Sequence, residues 1–119
     1  MKQVQIPEDF PEIITLCGST KFKQQFLEVQ KRLSLEGKIV ISVSMFGHAD
    51  NEPITPEQKT ALDQLHFRKI DLSDAIYVID VEGYIGESTR NEIVYATKTG
   101  KKIHYYSQEE GYLETKIKI

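Results

Sequence analysis

AIYVIDVEGYIGESTRNEIVYATKTG, residues 75–100, is the stretch of this chain that decides its fold. It opens with Ala75–Ile79, five apolar and mostly β-favouring residues that predict a short strand buried on both faces. The turn Gly83–Gly86 follows, and Ser88-Thr89 then predicts the start of a helix, with Glu92 in its opening turns. A strand, a tight turn and a helix with an early acid are typical of an open α/β sheet, which presents such side chains at the carboxyl ends of its strands.

Three further apolar runs predict strands on either side of this stretch. They are Ile13–Cys17, Lys38–Ser44 and Lys101–Tyr106, all short and rich in β-branched or aromatic residues. Residues 112–119 alternate weakly, and they predict either an edge strand or a short helix at their start.

Two more helices are predicted between the strands. The first has apolar residues at spacings of four, three and four and ends at Gly37; these residues are Phe22, Phe26, Val29 and Leu33. The second begins at Thr55-Pro56, with Thr as N-cap and Pro at the first helical position. Its predicted apolar surface consists of Leu62, Leu65, Phe67, Ile70 and Leu72.

The alternation of strands and helices predicts the fold class. Four strand signals separated by helix signals favour a three-layer α/β sandwich with a mostly parallel sheet of four or five strands, flavodoxin-like or Rossmann-like. We expect one domain over residues 1–119, with residues 1–11 as a loose lead-in because Pro7 and Pro11 oppose regular structure.

Composition excludes several function classes. The chain carries 15 Lys and Arg against 18 Asp and Glu, without a dense basic cluster, so we expect no duplex nucleic acid as partner. Cys17 is the only cysteine, which excludes an internal disulfide and favours a reducing cytoplasm; we interpret it as a buried, inert thiol. Neither a signal peptide nor a long apolar stretch is present, so we expect no membrane association.

In a parallel sheet the loops that follow the strands meet at one edge, and three of them carry polar groups. They are Gly18–Lys21, Phe46–Asp50 and the turn from Asp80 to Glu92. The first loop supplies a glycine, two hydroxyls and a lysine before a helix, which suits a phosphate. The alternative is structural, since Gly can end the strand and Ser19 or Thr20 can cap the helix. The loop matches neither a Walker A motif nor GxGxxG.

Glu92 and His66 are the candidates for chemistry. An acid in the first turns of a helix is stabilised as the anion, which suits a nucleophilic carboxylate, although such acids also occur for stability alone. His66 has the side chain to donate a proton near neutral pH, and the alternative is a packed helical histidine. Asp80 follows the central strand directly, and Tyr84 either stacks on a base or covers the core. Since His, Cys and Asp nowhere show the spacing of metal ligands, we expect neither a metal nor a cofactor.

These residues resemble the nucleoside 2-deoxyribosyltransferase superfamily. The matching segments are the aspartate-led strand at 74–80, the turn and helix at 86–96, and Gly100-Lys101. Cys17–Thr20 is similar to the Gly-Ser loop that holds the 5'-phosphate in the nucleotide N-glycosidases of that group. The resemblance spans residues 13–106 in matching order.

The resemblance implies a flavodoxin-like fold and cleavage or transfer at the N-glycosidic bond of a (deoxy)nucleoside or its 5'-monophosphate. Glu92 falls at the position of the catalytic glutamate, which attacks the anomeric carbon as in retaining glycosidases. The chain departs from the family pattern at His66, where the helix-borne aspartate would align, and at Gly86, where many transferases carry an aspartate. The family also implies a homodimer or larger oligomer.

Three functions therefore remain open: a hydrolase or transferase acting through Glu92 and His66, a non-catalytic nucleotide sensor of the same fold, and a structural or protein-interaction module, for which the polar loops would be incidental. In the first two, the partner is a small nucleoside or nucleotide. The residues that we expect to contact it are Gly18, Ser19, Thr20, Lys21, Phe46, His48, Asp50, Asp80, Tyr84, Gly86, Ser88 and Thr89.

Overall fold

A computed structural model of the protein describes residues 4–111. Its strands are β1 (Ile13–Gly18), β2 (Ile39–Ile41), β3 (Ala75–Ile79) and β4 (Lys102–Tyr105), and its helices are α1 (Lys23–Leu35), α2 (Pro56–Asp71) and α3 (Glu87–Lys98). A 3₁₀ turn, Val81–Gly83, precedes α3, and a π-helical turn, Ser107–Gly111, follows β4. The alternative of a strand or a short helix over residues 112–119 lies outside the described residues. Within the described part, no helix is both long and apolar enough to cross a membrane.

The sheet is parallel throughout and has the strand order β2-β1-β3-β4. All five residues of β3 are buried, as the apolar run predicts for a strand covered on both faces. Side chains alternate between two cores. One lies against α1 and contains Ile14, Leu16, Tyr77 and Ile79 with Phe26, Val29 and Leu33. The other lies against α2 and α3 and contains Cys17, Ile76 and Val78 with Ile70 and Ala96. The predicted three-layer α/β architecture is confirmed.

The predicted start of α2 is also confirmed, because Thr55 and Gln58 form a reciprocal capping box and Pro56 occupies the first position. The predicted start of α3 is one residue late: Gly86 is the N-cap, and Ser88 and Thr89 lie within the first turn.

Two predicted features are corrected. The second strand was predicted at Lys38–Ser44, but β2 covers three residues. The Lys69 ammonium bonds the Ser42 carbonyl and the Ser44 hydroxyl, both at 2.9 Å, so this segment pairs with a lysine of α2.

The apolar surface of α2 is narrower than predicted. Leu65 is 49% exposed and Leu72 is 69% exposed. The residues of α2 that are buried are His66 and Ile70, four apart on one helix face. A histidine therefore takes a central place on the face that packs on the sheet.

Gly18 ends β1 opposite Ile79, the last residue of β3. A Cβ atom on Gly18 would lie 2.9 Å from the Ile79 carbonyl oxygen and 3.0 Å from its Cβ. Real Cβ atoms do not approach backbone this closely, so the two strands end side by side because residue 18 lacks a side chain.

We expect Gly18→Ala to lower the free energy of unfolding by about 1–3 kcal/mol, because the added methyl forces the ends of β1 and β3 apart. Gly86→Ala is the matched control, since its Cβ would meet Tyr84 at an ordinary 3.7 Å; its loss should stay below about 1 kcal/mol. Urea unfolding of both variants checks this, and equal losses would contradict the close-approach argument.

Candidate functional site

A pocket of about 760 Å³ opens at the carboxyl ends of the strands. The loops that follow β1, β2 and β3 all contribute to its wall, together with α2 as far as His66 and the start of α3. The expectation that these three loops meet at one edge is therefore correct, and it follows from the parallel direction of the strands.

Most of the residues singled out in the sequence lie in this wall. They are Gly18, Ser19, Thr20, His48, His66, Tyr84, Gly86, Ser88, Thr89 and Glu92. Four others, Lys21, Phe46, Asp50 and Asp80, lie outside the pocket lining and have other partners.

The Lys21 ammonium lies 3.6 Å from the centroid of the Tyr84 ring, in a cation–π contact. Phe46 packs edge-to-face on the buried Phe26, with ring centroids 5.5 Å apart. Lys21 therefore packs on the Tyr84 ring, and Phe46 belongs to the core beside α1.

The two acids are also occupied elsewhere. Asp50 forms an ion pair with Lys23 at 2.9 Å. Asp80 is buried and accepts hydrogen bonds from the backbone N–H and the hydroxyl of Ser107, at 2.8 and 2.7 Å. Its carboxylate holds the turn after β4 against the end of β3, which is a structural role, and the expected contact between Asp80 and substrate stays a prediction.

Glu92 lies in the second turn of α3, and its side chain lines the pocket although only 6% of the residue is exposed. Burial raises its pKa from 4.5 to about 7, and the hydrogen bond from the Cys17 thiol opposes that rise. The negative charge of Asp63 raises the pKa further, and Lys59 lowers it. Among the described residues, no Lys or Arg lies within ion-pair distance of the carboxylate. Glu92 is thus a desolvated carboxyl group that is close to half ionised at neutral pH.

His66 reaches the same place from α2. Its Nε2 lies 3.0 Å from the Leu16 carbonyl oxygen and 3.6 Å from Cys17 Sγ. Because a carbonyl only accepts, Nε2 carries a proton and donates it there. Burial, followed by the charge of Lys69, lowers the pKa of His66 to about 4. The imidazole is therefore neutral at pH 7, and this opposes the predicted role of His66 as a proton donor.

Cys17 is fully buried beneath these two groups. Burial, and then the carboxylate of Glu92, raise the pKa of the Cys17 thiol well above its usual value, so the thiol stays protonated. This agrees with an inert cysteine. Yet one ligand-type atom from each of Cys17, His66 and Glu92 lies within 4.8 Å of the others. Three elements distant in sequence thus bring potential metal-ligand atoms together, which sequence spacing alone could not show.

Sequence reasoning missed Lys59 and Asp63, which also line the pocket. The Lys59 ammonium bonds the Asp63 carboxylate and the Ser88 hydroxyl, both at 3.0 Å, and so links α2 to the start of α3. Positions 59, 63 and 66 recur at spacings of four and three, which places them on one helix face. That periodicity, read for polar residues as well as apolar ones, is the signal that could have found them.

The first loop does not cap its helix in the way considered above. The N-cap of α1 is Phe22, without a side-chain cap among the described residues. Thr20 Oγ1 instead accepts the backbone N–H of His48 at 3.3 Å, which ties the first loop to the second. The helix that presents its N-terminus to the pocket is α3, since Gly86, Glu87, Ser88 and Thr89 all line it.

Comparison with models of protein families, with curated proteins and with solved structures gives no match for this chain.

The raised pKa of Glu92 and the lowered pKa of His66 act on stability in opposite directions. Glu92 binds its proton more tightly in the folded state, so its contribution is present below about pH 4.5 and is lost as the pH rises to about 7. The contribution of His66 is present above about pH 6.5 and is lost as the pH falls to about 4. In the wild type the two largely cancel between these limits.

In Glu92→Gln only the contribution of His66 remains. We therefore expect the free energy of unfolding of this variant to rise by about 3 kcal/mol between pH 4 and 6.5, whereas that of the wild type stays nearly constant. Urea unfolding at a series of pH values, with a chelator present, measures this. Glu28→Gln, an exposed acid on α1, is the control and should keep the wild-type profile. A Glu92→Gln profile that superimposes on the wild type would show that Glu92 titrates normally.

Proposed function

We propose that this protein cleaves or transfers at the N-glycosidic bond of a (deoxy)nucleoside or its 5'-monophosphate, with Glu92 as the nucleophile. The observation that carries the proposal is the position of Glu92: its carboxylate is almost enclosed by protein and still lines a pocket that the Gly18–Thr20 loop shares. Glu92 and this loop both belong to segments that carry the resemblance to nucleoside deoxyribosyltransferases, residues 86–96 and 17–20.

The pocket suits a nucleoside monophosphate in size. Its 760 Å³ falls within the range of about 300–1,000 Å³ that is usual for small-molecule sites. Its wall combines apolar side chains such as Met45 and Ile54 with hydroxyls and charged groups. In this proposal, Tyr84 and His48 lie on the side of the base, and Glu92 lies beneath the sugar.

The reaction proceeds in two steps. The ionised Glu92 carboxylate attacks the anomeric carbon, the carbon–nitrogen bond breaks, and the base departs with the bonding electron pair and takes up a proton. Water or a second base then attacks the glycosyl ester and releases the carboxylate. A carboxylate without an ion pair is a better nucleophile than one neutralised by Lys or Arg, and the Cys17 thiol orients it by a hydrogen bond.

The proton for the departing base does not come from His66 in this scheme, because the neutral ring donates its Nε2 proton to the Leu16 carbonyl. It comes from water in the pocket. Asp63 lines the pocket, and its negative charge raises the pKa of Glu92. We assign it to stabilising the positive charge that develops on the sugar.

We assign the positive charge that would bind a 5'-phosphate to Lys59 instead of Lys21. Lys59 lines the pocket and bonds Ser88 in the first turn of α3, where the helix dipole also favours an anion. Lys21 lies on Tyr84 and outside the lining. Ser19 and Thr20 remain in the wall as hydroxyl donors to the sugar or the phosphate.

A non-catalytic nucleotide sensor is the second candidate, and the neutral His66 favours it, since the imidazole then offers no acidic proton to a departing base. A sensor would be stabilised against heat by nucleotides and would release no base.

We expect Glu92→Gln to lower base release at least about 1,000-fold, because the amide retains the volume and lacks the nucleophilic anion. Incubation with deoxynucleosides and their monophosphates, followed by chromatography of free base, measures this. Glu28→Gln on α1 should keep wild-type activity. Undiminished release by Glu92→Gln would exclude the proposed nucleophile, and stabilisation by nucleotide without release from the wild type would favour the sensor.

We expect Lys59→Met to raise KM for the 5'-monophosphate about tenfold or more while KM for the nucleoside changes little, because one phosphate contact is lost. Lys21→Met removes the same charge from a lysine outside the pocket and is the matched control. Steady-state kinetics on both substrates with both variants separates the lysines. A larger effect from Lys21→Met would return the phosphate site to the first loop.

A further inference from the structure

We propose that Cys17, His66 and Glu92 form a binding site for a zinc ion, with the remaining coordination position open to the pocket. The three side chains come from β1, α2 and α3, and each offers one ligand atom within 4.8 Å of the other two. All three residues are buried, and His66 and Glu92 also line the pocket. The proposal concerns these residues alone and does not require the glycosidic activity.

The spacing fits tetrahedral coordination. With Zn–S near 2.3 Å and Zn–N near 2.0 Å, two tetrahedral ligands lie about 3.5 Å apart. Cys17 Sγ and His66 Nε2 are 3.6 Å apart. An ion therefore fits between these two atoms without separating the end of β1 from α2.

The donor set selects the kind of metal. One thiolate, one imidazole and one carboxylate make a mixed sulfur, nitrogen and oxygen site, which suits zinc and disfavours calcium and magnesium, since both prefer oxygen ligands alone. Three protein ligands with one open position are the arrangement of zinc sites that exchange a water or another ligand.

Binding exchanges interactions that the structure already contains. The Cys17 thiol gives up its proton to solvent. The neutral imidazole moves its proton from Nε2 to Nδ1 through solvent, which ends the hydrogen bond to the Leu16 carbonyl and leaves the Nε2 lone pair to face the ion. The Glu92 carboxylate, which has no ion pair among the described residues, gains a cation. A bound zinc ion would also occupy the proposed nucleophile, and free zinc would then inhibit base release.

The experiment uses the purified 119-residue chain without nucleoside, with Zn²⁺ and Co²⁺ as probes. We expect one equivalent of Zn²⁺ to raise the melting temperature. Co²⁺ should give the near-ultraviolet charge-transfer band of a cobalt–thiolate bond together with the intense visible bands of tetrahedral cobalt, and Zn²⁺ should displace it.

The variants test each ligand. Cys17→Ala should remove the charge-transfer band. His66→Asn and Glu92→Gln should each lower the affinity for zinc at least tenfold. His48→Gln, a pocket histidine outside the set, should bind zinc as the wild type does. If Cys17→Ala fails to fold, as judged by circular dichroism, then Glu92→Gln carries the test, because the amide retains the shape of the side chain.

Wild-type protein without a cobalt–thiolate band, or a Glu92→Gln variant with unchanged zinc affinity, would overturn the site. Base release is measured separately with a chelator present. Zinc binding without base release would reject the glycosidic proposal and leave the metal site standing, and base release without zinc binding would do the reverse.

Discussion

The approach of β1 to β3 at their carboxyl ends is the constraint on which the site depends. Gly18 lies against the Ile79 backbone at a distance that excludes a side chain, so both strands end at the same level of the sheet. Cys17, one residue earlier, consequently points into the core beneath α2 and α3. His66 and Glu92 project from those helices onto the same spot. The floor of the pocket is fixed by strand pairing, and the loops supply its wall.

This burial shifts the pKa values of two titratable groups in opposite directions. An apolar floor disfavours charge of either sign, so it raises the pKa of the Glu92 carboxyl and lowers the pKa of the His66 imidazole. An ion pair between the two would have removed both effects. The His66 Nε2 proton is directed instead at the Leu16 carbonyl, and burial, followed by the charge of Lys69, lowers the pKa of the ring so that it stays neutral beside an acid. The site thus holds the Glu92 carboxylate without an ion pair to any Lys or Arg of the described chain.

The sequence predicted what depends on local pattern. The buried run at 75–79, the Thr55-Pro56 helix start and the α/β alternation each carry a local signal, and each is present in the fold. The meeting of three loops at one edge followed from parallel strands alone. What the pattern did not show depends on partners distant in sequence: residues 42–44 lie outside the sheet, where Lys69 bonds Ser42 and Ser44, and Asp80 accepts hydrogen bonds from Ser107. Local pattern could not show that positions 17, 66 and 92 would converge.

The same convergence limits what Glu92 can do at one time. A carboxylate that ligates a metal has its charge directed at the ion and is not available for the proposed attack on an anomeric carbon, whereas a free carboxylate is. Cys17 determines which state is reached, because its thiol proton supports the free carboxylate through a hydrogen bond and its loss creates the strongest ligand of the set. A serine at position 17 would retain the hydrogen bond to Glu92 and would bind the proposed zinc ion more weakly than cysteine does. Cysteine at this buried position is therefore the feature that would allow a zinc ion to occupy the site proposed for nucleophilic attack.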